Sequence, residues 1–499
     1  MTGPAINWGR LHARLQGASL VACRGRVVRV TGLRVESEGP PVGVGHLCEI
    51  RASDGRRVPA EVVGFHEMNR ILIPLERMEG IAPNDPVVPA PTRRTIRLGP
   101  AALGRVLDGL GRPIDGHGPL EGTDVRALDA ETPPPLSRPP ITDPLAFGIR
   151  VFDGLLTCGK GQRVGIFSGS GVGKSLLLGE IARSSEADVN VLALVGERGR
   201  EVRHFLDHAL GPEGLKRSVV VVATSDRAAI QRVKAAALAA TIAEYFRDQG
   251  KNVLFMMDSV TRLAHAQREI GLAAGEPPTT KGYCPSVFGL LPKLTERLGS
   301  AACGSITGIL TVLVEADDMN DPIADCVRSL LDGHIVLSRK LAELGHYPAV
   351  DVLASVSRLM DTLVSPDHLL AAQRLKALVA TYQDAEDLIN IGAFKPGSNR
   401  RIDTAVSLID RVNEFLVQPL GTRTSFQETV RRLLEITASW NFLMPAIRAA
   451  TGSLPAEAGS PLAEAAAGSR PPLGSPLSAA AAGASPRGPA PPSTVGGAR

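Results

Sequence analysis

Residues 168–175 read SGSGVGKS, a spacing of residue types suited to holding a polyphosphate. Gly173, Lys174 and Ser175 fill the second half of the pattern G-x-x-x-x-G-K-[ST], and Ser168 stands at the opening position where glycine is usual. Gly169, Gly171 and Gly173, with Ser170 and Val172 between them, give the backbone freedom to turn successive N–H groups inward around phosphate oxygens. Lys174 brings a point positive charge for the β and γ phosphates and Ser175 a hydroxyl for Mg²⁺. The helix that begins here, with Leu176 in its first turn counted among the nucleotide contacts, aims its positive dipole end at the anion. RVGIF before the loop and GKSLLLGEIAR after it read as the strand and helix such a loop requires. A dinucleotide-type G-x-G-x-x-G fails, because Lys174 occupies the third glycine position.

Two carboxylates fall where the loop needs them. NVLFMMDS ends an apolar run with Asp258, which reads as the cap of a following helix or as the acidic partner that holds a magnesium hydration shell; a phosphate loop in the same sheet favours the second. NVLALV runs into GERGRE, where Glu197 suits polarising a water for in-line attack on a γ phosphate and Arg198 suits orienting that carboxylate. A surface charge cluster at a helix start fits the same letters. His204 and His208 are four apart but lack both H-E-x-x-H and a third ligand, and read as helix-surface residues. DDMND at 317–321 lacks the glycine and distal glutamate of a calcium loop and reads as a strand–helix connection.

The elements that carry these residues follow from periodicity. From Arg24 to Pro91 short β-rich pieces (GRVVRVTGLRV, HLCEIRA, VPAEVVGF, RILIPL) alternate with turn signals and predict a small all-β domain. Residues 92–145 hold two connectors, GRVLDGLGRPIDG and TPPPLSRPPITDP, whose glycines and prolines predict loops between domains. From Phe147, apolar runs alternate with helical segments, the pattern of a parallel α/β sheet with strands buried on both faces; SITGILTVLV and HIVLSR extend it. Past Leu363 the period becomes helical through HLLAAQRLKALVATYQDAEDLI, DTAVSLIDRVNEFL and SFQETVRRLLEITASW. Residues 451–499 are Ala, Gly, Ser and Pro with no aromatic, which predicts a disordered tail.

Composition bounds the partners. A chain of 499 residues predicts two or three domains, and 55 basic against 51 acidic residues give no dedicated polyanion surface, so no nucleic acid is expected. Six cysteines without a C-x-x-C pair, and an N-terminal MTGPAINWGRLHARL without the apolar core of a signal peptide, predict a cytoplasmic setting. Apolar stretches are too short for a membrane span, which leaves only peripheral membrane contact.

Taken together, SGSGVGKS, GERGREVRHF, AAGEPPTTKGYCPSVFGLLPKLTERLG, DDMNDPIADCVRSLLDGHIVLSR and HYPAVDVLASVSR resemble the rotary ATP synthase α/β superfamily. Within it they are most similar to the ATPases of flagellar protein export and type III secretion. The resemblance spans residues 20 to 440 and implies a multidomain chain. An N-terminal β-barrel would cover 1–95, and a RecA-like α/β P-loop domain with a mostly parallel sheet 96–370, including a linker at 96–146. A C-terminal α-helical domain would cover 371–450, ahead of the tail. It also implies roles: Lys174 and Ser175 on phosphate and Mg²⁺, Glu197 as catalytic carboxylate, Asp258 on the metal, Arg262 near the phosphates and Tyr347 stacked on adenine. Arg358 in SVSR would be an arginine finger reaching a neighbour's site.

The implied activity is hydrolysis of ATP with Mg²⁺ to energise export through a flagellar-type apparatus. The protein would sit at the cytoplasmic side of the inner membrane as a homohexameric ring, with other apparatus components, a regulatory stator-like protein and chaperone–substrate complexes as partners. PPTTKGY tilts the resemblance toward the flagellar rather than the virulence branch. A non-catalytic rotary subunit is disfavoured by Glu197, where such relatives usually carry Gln. A ring helicase driven by RNA is disfavoured by the balanced charge and the lack of an aromatic and basic stretch. Departures from the motifs are Ser168, Cys284 for proline, Ala316 for glycine, and FGIRVFD for TGVRAID.

Overall fold

The computed structural model describes residues 23–90, 95–314, 318–440 and 442. The expected tail, residues 1–22, Ala316 and Asp317 lie outside them. Six strands, β1 (Gly25–Thr31), β2 (Arg34–Glu38), β3 (Leu47–Arg51), β4 (Arg57–His66), β5 (Asn69–Pro74) and β6 (Pro86–Pro89), close into a barrel in the order β1-β2-β5-β4-β3-β6. Their inward positions, among them Val27, Val35, Ile50, Val62 and Leu72, are buried together. Closure leaves no edge strand in this unit. The barrel rests on the central region through Ile73 and Leu75 against Ile230 and Ile270, and through a 3.0 Å ion pair between Lys234 and Glu61.

The first connector is not wholly a loop. β7 (Thr95–Leu98) pairs with β9 (Asp124–Ala127), and between them β8 (Val106–Asp108) joins the central sheet as its outermost strand, parallel to the strand that carries Val220–Val222. Glycine and proline around VLD forbid a central strand, but an edge strand needs partners on one side only. Arg105 and Asp115, paired at 2.7 Å, and the Val106 N–H on the same carboxylate at 2.9 Å fix the turn that presents it.

Two short strands, β10 (Pro144–Leu145) and β11 (Cys158–Gly159), pair ahead of the sheet proper. That sheet comprises β12 (Arg163–Ser168), β13 (Val189–Val195), β14 (Ser218–Ala223), β15 (Asn252–Asp258), β17 (Ser305–Leu313), β18 (Gly333–Leu337) and β19 (Val350–Ser357), ordered β19-β18-β12-β17-β15-β13-β14-β8, with the two-residue β16 (Gly299–Ser300) attached to β17. β19 runs antiparallel to β18 and β16 antiparallel to β17; the other neighbours are parallel. Every residue of β13 and of β14 is buried, as expected of strands that are apolar apart from Asn190 and Ser218. The carboxyl ends of β12, β13 and β15 therefore share one edge, where parallel sheets place their ligands.

The segment REVRHFLDHAL, which reads as one helix, is a short helix Gly199–His204, a π-helical turn Phe205–Leu210 and a second helix Gly211–Lys216. It packs closely on the helix after the phosphate loop: a Cβ on Gly179 would meet the Ala209 carbonyl oxygen at 2.4 Å. Cys284, the departure from proline, takes an extended φ of −92° and ψ of 153°, the conformation wanted before Pro285, which opens the helix Pro285–Glu296. The C-terminal helices are Pro366–Asn390, Arg400–Leu416 and Phe426–Thr437. The first runs unbroken across the expected boundary at 370/371. It begins where Ser365 accepts a hydrogen bond from the His368 N–H and Pro366 takes the first helical position.

Candidate active site

β12 ends at Ser168, and the chain loops over to a helix that starts at Lys174. Gly171 and Gly173 carry the left-handed backbone, with φ of 83° and 87°. An L side chain at either position is strained, which accounts for two of the three loop glycines. Ser168 is buried, and its hydroxyl makes no hydrogen bond. Its small size, rather than its polarity, is what the strand exit uses.

Lys174 and Asp258 form an ion pair across this edge. Asp258, the last residue of β15, also accepts a 2.8 Å hydrogen bond from the Thr311 hydroxyl on neighbouring β17. The following helix, Val260–Ala274, is capped by Ser259, so Asp258 is not its cap. That removes one of the two sequence readings of Asp258.

Glu197 follows β13 after Gly196 and faces the same space. Its guanidinium partner is Arg262, with Nε 3.3 Å from Oε1; the same guanidinium donates to the Gly196 carbonyl. Arg198, expected to orient Glu197, does not touch it. As the residue preceding the helix Gly199–His204, Arg198 projects along that helix to Glu201 at 3.4 Å, with its side chain 76% exposed. Arg198 lies past the strand, where the left-handed Gly196 has already turned the chain toward the next helix, so sequence proximity misleads here, whereas Arg262 arrives from the helix after β15. Burial pushes the Glu197 carboxyl up to about 7, helped by the nearby Asp258 carboxylate and by a hydrogen bond with Glu201; Lys174 and Arg262 pull the other way. Glu197 Oε1 is buried without a hydrogen-bond partner.

On the far side of the loop lies a cavity of about 460 Å³, with Val172, Leu176, Tyr347, Pro348 and Leu420 among its walls. The Tyr347 ring covers the loop: a Cβ on Gly173 would stand 3.2 Å from Tyr347 Cε1. Apolar walls and one aromatic face suit a flat heterocycle attached to phosphates held at the loop. The segment Val417–Leu420 of the cavity wall was not legible as part of a site. Its only sequence signal was the Pro-Gly punctuation in VQPLG between two helical runs.

Arg358 stands apart from these groups. β19 is antiparallel, so its last residues lie at the amino edge of the parallel strands: Ser357 pairs with Gly333, and the Arg358 N–H donates to the Asp332 carbonyl at 3.0 Å. Asp332 in turn donates to the Arg163 carbonyl at the start of β12. Arg358 is thus five strand residues before the loop begins, roughly 16 Å at about 3.3 Å per residue. Its side chain is exposed, with its guanidinium 3.3 Å from the Arg328 carbonyl.

The oxygens brought to this edge are hard ones: the hydroxyl of Ser175, second residue of the helix after the loop, the Asp258 carboxylate and the unpartnered Glu197 Oε1. That set fits Mg²⁺. No cluster of three or more His, Cys, Asp or Glu able to enclose an ion occurs among the described residues. A magnesium ion at this edge would draw its remaining ligands from phosphate and water, its ordinary habit.

Comparison with known proteins gives matches along most of the described chain. The β-barrel domain of the ATP synthase alpha/beta family matches residues 27–90, and the nucleotide-binding domain of that family matches residues 148–357. The T3SS EscN ATPase C-terminal domain matches 364–435. A flagellum-specific ATP synthase of Bacillus subtilis (strain 168) is 53% identical over 417 residues, covering 83% of this chain and 95% of the relative. A type 3 secretion system ATPase of Xanthomonas euvesicatoria is 49% identical over 414 residues, covering 83% and 94%. Among solved structures, the assembled ATPase EscN in complex with its central stalk EscO, from enteropathogenic E. coli, superimposes with a TM-score of 0.77 at 46% identity, covering 83% of this chain and 100% of that one.

Proposed function

This chain belongs to the ATP synthase alpha/beta family, among its flagellum-specific ATP synthases and type 3 secretion system ATPases, and from that membership we propose that it hydrolyses ATP with Mg²⁺ to energise protein export through a flagellar-type secretion apparatus. The observation that carries the chemistry is the meeting of Lys174, Asp258 and Glu197 at one sheet edge beside a cavity roofed by Tyr347. In this reading the loop N–H groups and Lys174 hold the β and γ phosphates, and Tyr347 stacks on adenine. Ser175 and Asp258 hold the ion, which when bound offsets charge on the phosphate oxygens. Glu197 accepts a proton from the attacking water, and Arg262 holds the Glu197 carboxylate in place.

The upward shift of the Glu197 carboxyl has a measurable sign. Protonated Glu197 cannot act as a base, so kcat/KM for ATP rises with pH through about 7 and drops about tenfold between pH 8 and pH 6. A flat profile across that range, in protein that keeps its fold, counts against Glu197 as the base.

Arg358 lies too far from its own loop to serve it and is exposed at the opposite edge. A ring of identical subunits, most simply a homohexamer, would bring it to a neighbour's phosphates so that each interface completes a site. The relative EscN is described as assembled and in complex with a central stalk; a stalk-like or stator-like regulator is proposed here by likeness. Other apparatus components, chaperone–substrate complexes, and a cytoplasmic position against the inner membrane belong to the same proposal. No helix of the described residues is long and apolar enough to cross a membrane.

The test pairs purified protein with a deletion strain. The protein is expected to hydrolyse ATP only with a divalent cation, and the deletion to abolish filament assembly and swimming. Filaments intact with effector secretion lost would move the function to the virulence branch. Absence of ATP hydrolysis would overturn it.

A further inference from the structure

The outer wall of the cavity under Tyr347 is not part of the sheet domain's own sequence. Val417–Leu420 follows the helix Arg400–Leu416 and is held against the central region by side chains that no role yet described uses. Arg150, buried in the helix Arg150–Leu155, donates from Nε to the Phe415 carbonyl at 2.7 Å and from Nη2 to the Glu414 carbonyl at 3.1 Å and to the Val417 carbonyl. These are carbonyls that the end of the preceding helix leaves without intrahelical partners. Gln418, 5% exposed, accepts from the Arg150 N–H at 2.8 Å and donates to the carbonyls of Gly148 at 2.9 Å and Thr422 at 2.7 Å. Its own N–H donates to the Tyr347 carbonyl at 2.9 Å. At the far end, Glu180 on the helix after the phosphate loop accepts from the Gly421 N–H at 3.0 Å.

We infer that Arg150 and Gln418 are positioning residues for the nucleobase: they hold Val417–Leu420 opposite Tyr347 at the separation a purine ring needs. This rests on the nucleotide reading of the cavity. Neither side chain faces the phosphates or Glu197, so they act on how much of the protein holds a competent base pocket and not on the hydrolytic step. A pocket competent in only a tenth of molecules weakens apparent affinity about tenfold. The Gln418 side chain is buried, with its bonds to the Arg150 N–H and the Gly148 carbonyl, so an apolar replacement of similar volume frees the wall without emptying its space.

The experiment is steady-state ATP hydrolysis by the full chain in wild type, Gln418→Met and Arg150→Lys, together with melting temperatures measured with and without Mg²⁺-ADP. Gln418→Met is expected to raise KM for ATP about tenfold with kcat within twofold of wild type, and to lose most of the melting-temperature rise that Mg²⁺-ADP confers. Arg150→Lys, which keeps one donor group in place of the guanidinium fork, is expected to give a smaller KM rise of the same kind. KM unchanged in both variants overturns the inference. So does a fall in kcat that tracks a lower melting temperature while KM stays put, since that is what a purely structural tie would give. A wild type that hydrolyses no ATP overturns the nucleotide reading itself and the wall's role with it, an outcome distinct from an active wild type with indifferent variants.

Discussion

Glu197→Gln is expected to lower kcat for ATP hydrolysis by about 10²- to 10⁴-fold while nucleotide still binds within a few-fold of wild type. Glutamine keeps the shape of the side chain and can still meet Glu201 and the Arg262 guanidinium, so the carboxyl ends of β13 and β15 stay as they are. What it removes is the capacity to take a proton. Glu197 Oε1 is a buried carboxylate oxygen at this edge with no hydrogen bond of its own, whereas Asp258 is already engaged by Lys174 and Thr311. Asp258 is therefore not free to substitute. Steady-state turnover beside equilibrium binding of a fluorescent adenine nucleotide separates the two effects. Turnover within tenfold of wild type would remove Glu197 from the chemical step.

Arg358→Ala is expected to reduce kcat by about 10³- to 10⁵-fold, the range for loss of a guanidinium that neutralises charge on a transferring phosphoryl group. The position of Arg358 at the amino edge of the sheet makes a sharper test possible. Lys174→Ala disables the loop of its own subunit and keeps Arg358; Arg358→Ala does the reverse. Each is expected to be nearly inactive alone. Mixed in equal amounts and reassembled, they should make complete about a quarter of the interfaces, those where an intact loop meets an intact arginine from next door, and recover activity in that proportion. Mixed assembly with no recovery would show that Arg358 does not act across an interface.

The legible part of this site is the part that is local in sequence. SGSGVGKS with its flanking strand and helix is a contiguous unit, and an Asp closing an apolar run marks a strand's carboxyl end, so the sheet edge was readable. Partner choice was not. Arg198 is the covalent neighbour of Glu197, yet Arg262, 65 residues on, reaches the carboxylate, because the helix after β15 packs beside the end of β13. Periodicity records which face a residue takes within its own element and says nothing about which element lies opposite. For the same reason the cavity wall at Val417–Leu420 was invisible: it is defined by the docking of a helix end on Arg150. β8 has no sequence signal, because three residues at a sheet edge carry no period. The start of the long C-terminal helix at Pro366 did have a local signal in Ser365 and Pro366, and a purely apolar pattern passes over caps.

β19 has a further consequence. The chain leaves Tyr347 at one edge of the sheet and, eight strand residues later, delivers Arg358 to the other. One element thus has its head over its own subunit's base and its foot, in the proposed ring, against the next subunit's phosphate. β19 is paired to β18 at its two ends, Val350–Asp351 and Val356–Ser357, with a bulge between them, so both ends are fixed to one sheet. In the proposed ring each site is thereby joined to the next through one strand of one subunit. The path from one site to the next in such a ring has a direction, and that direction is the polarity of the strand.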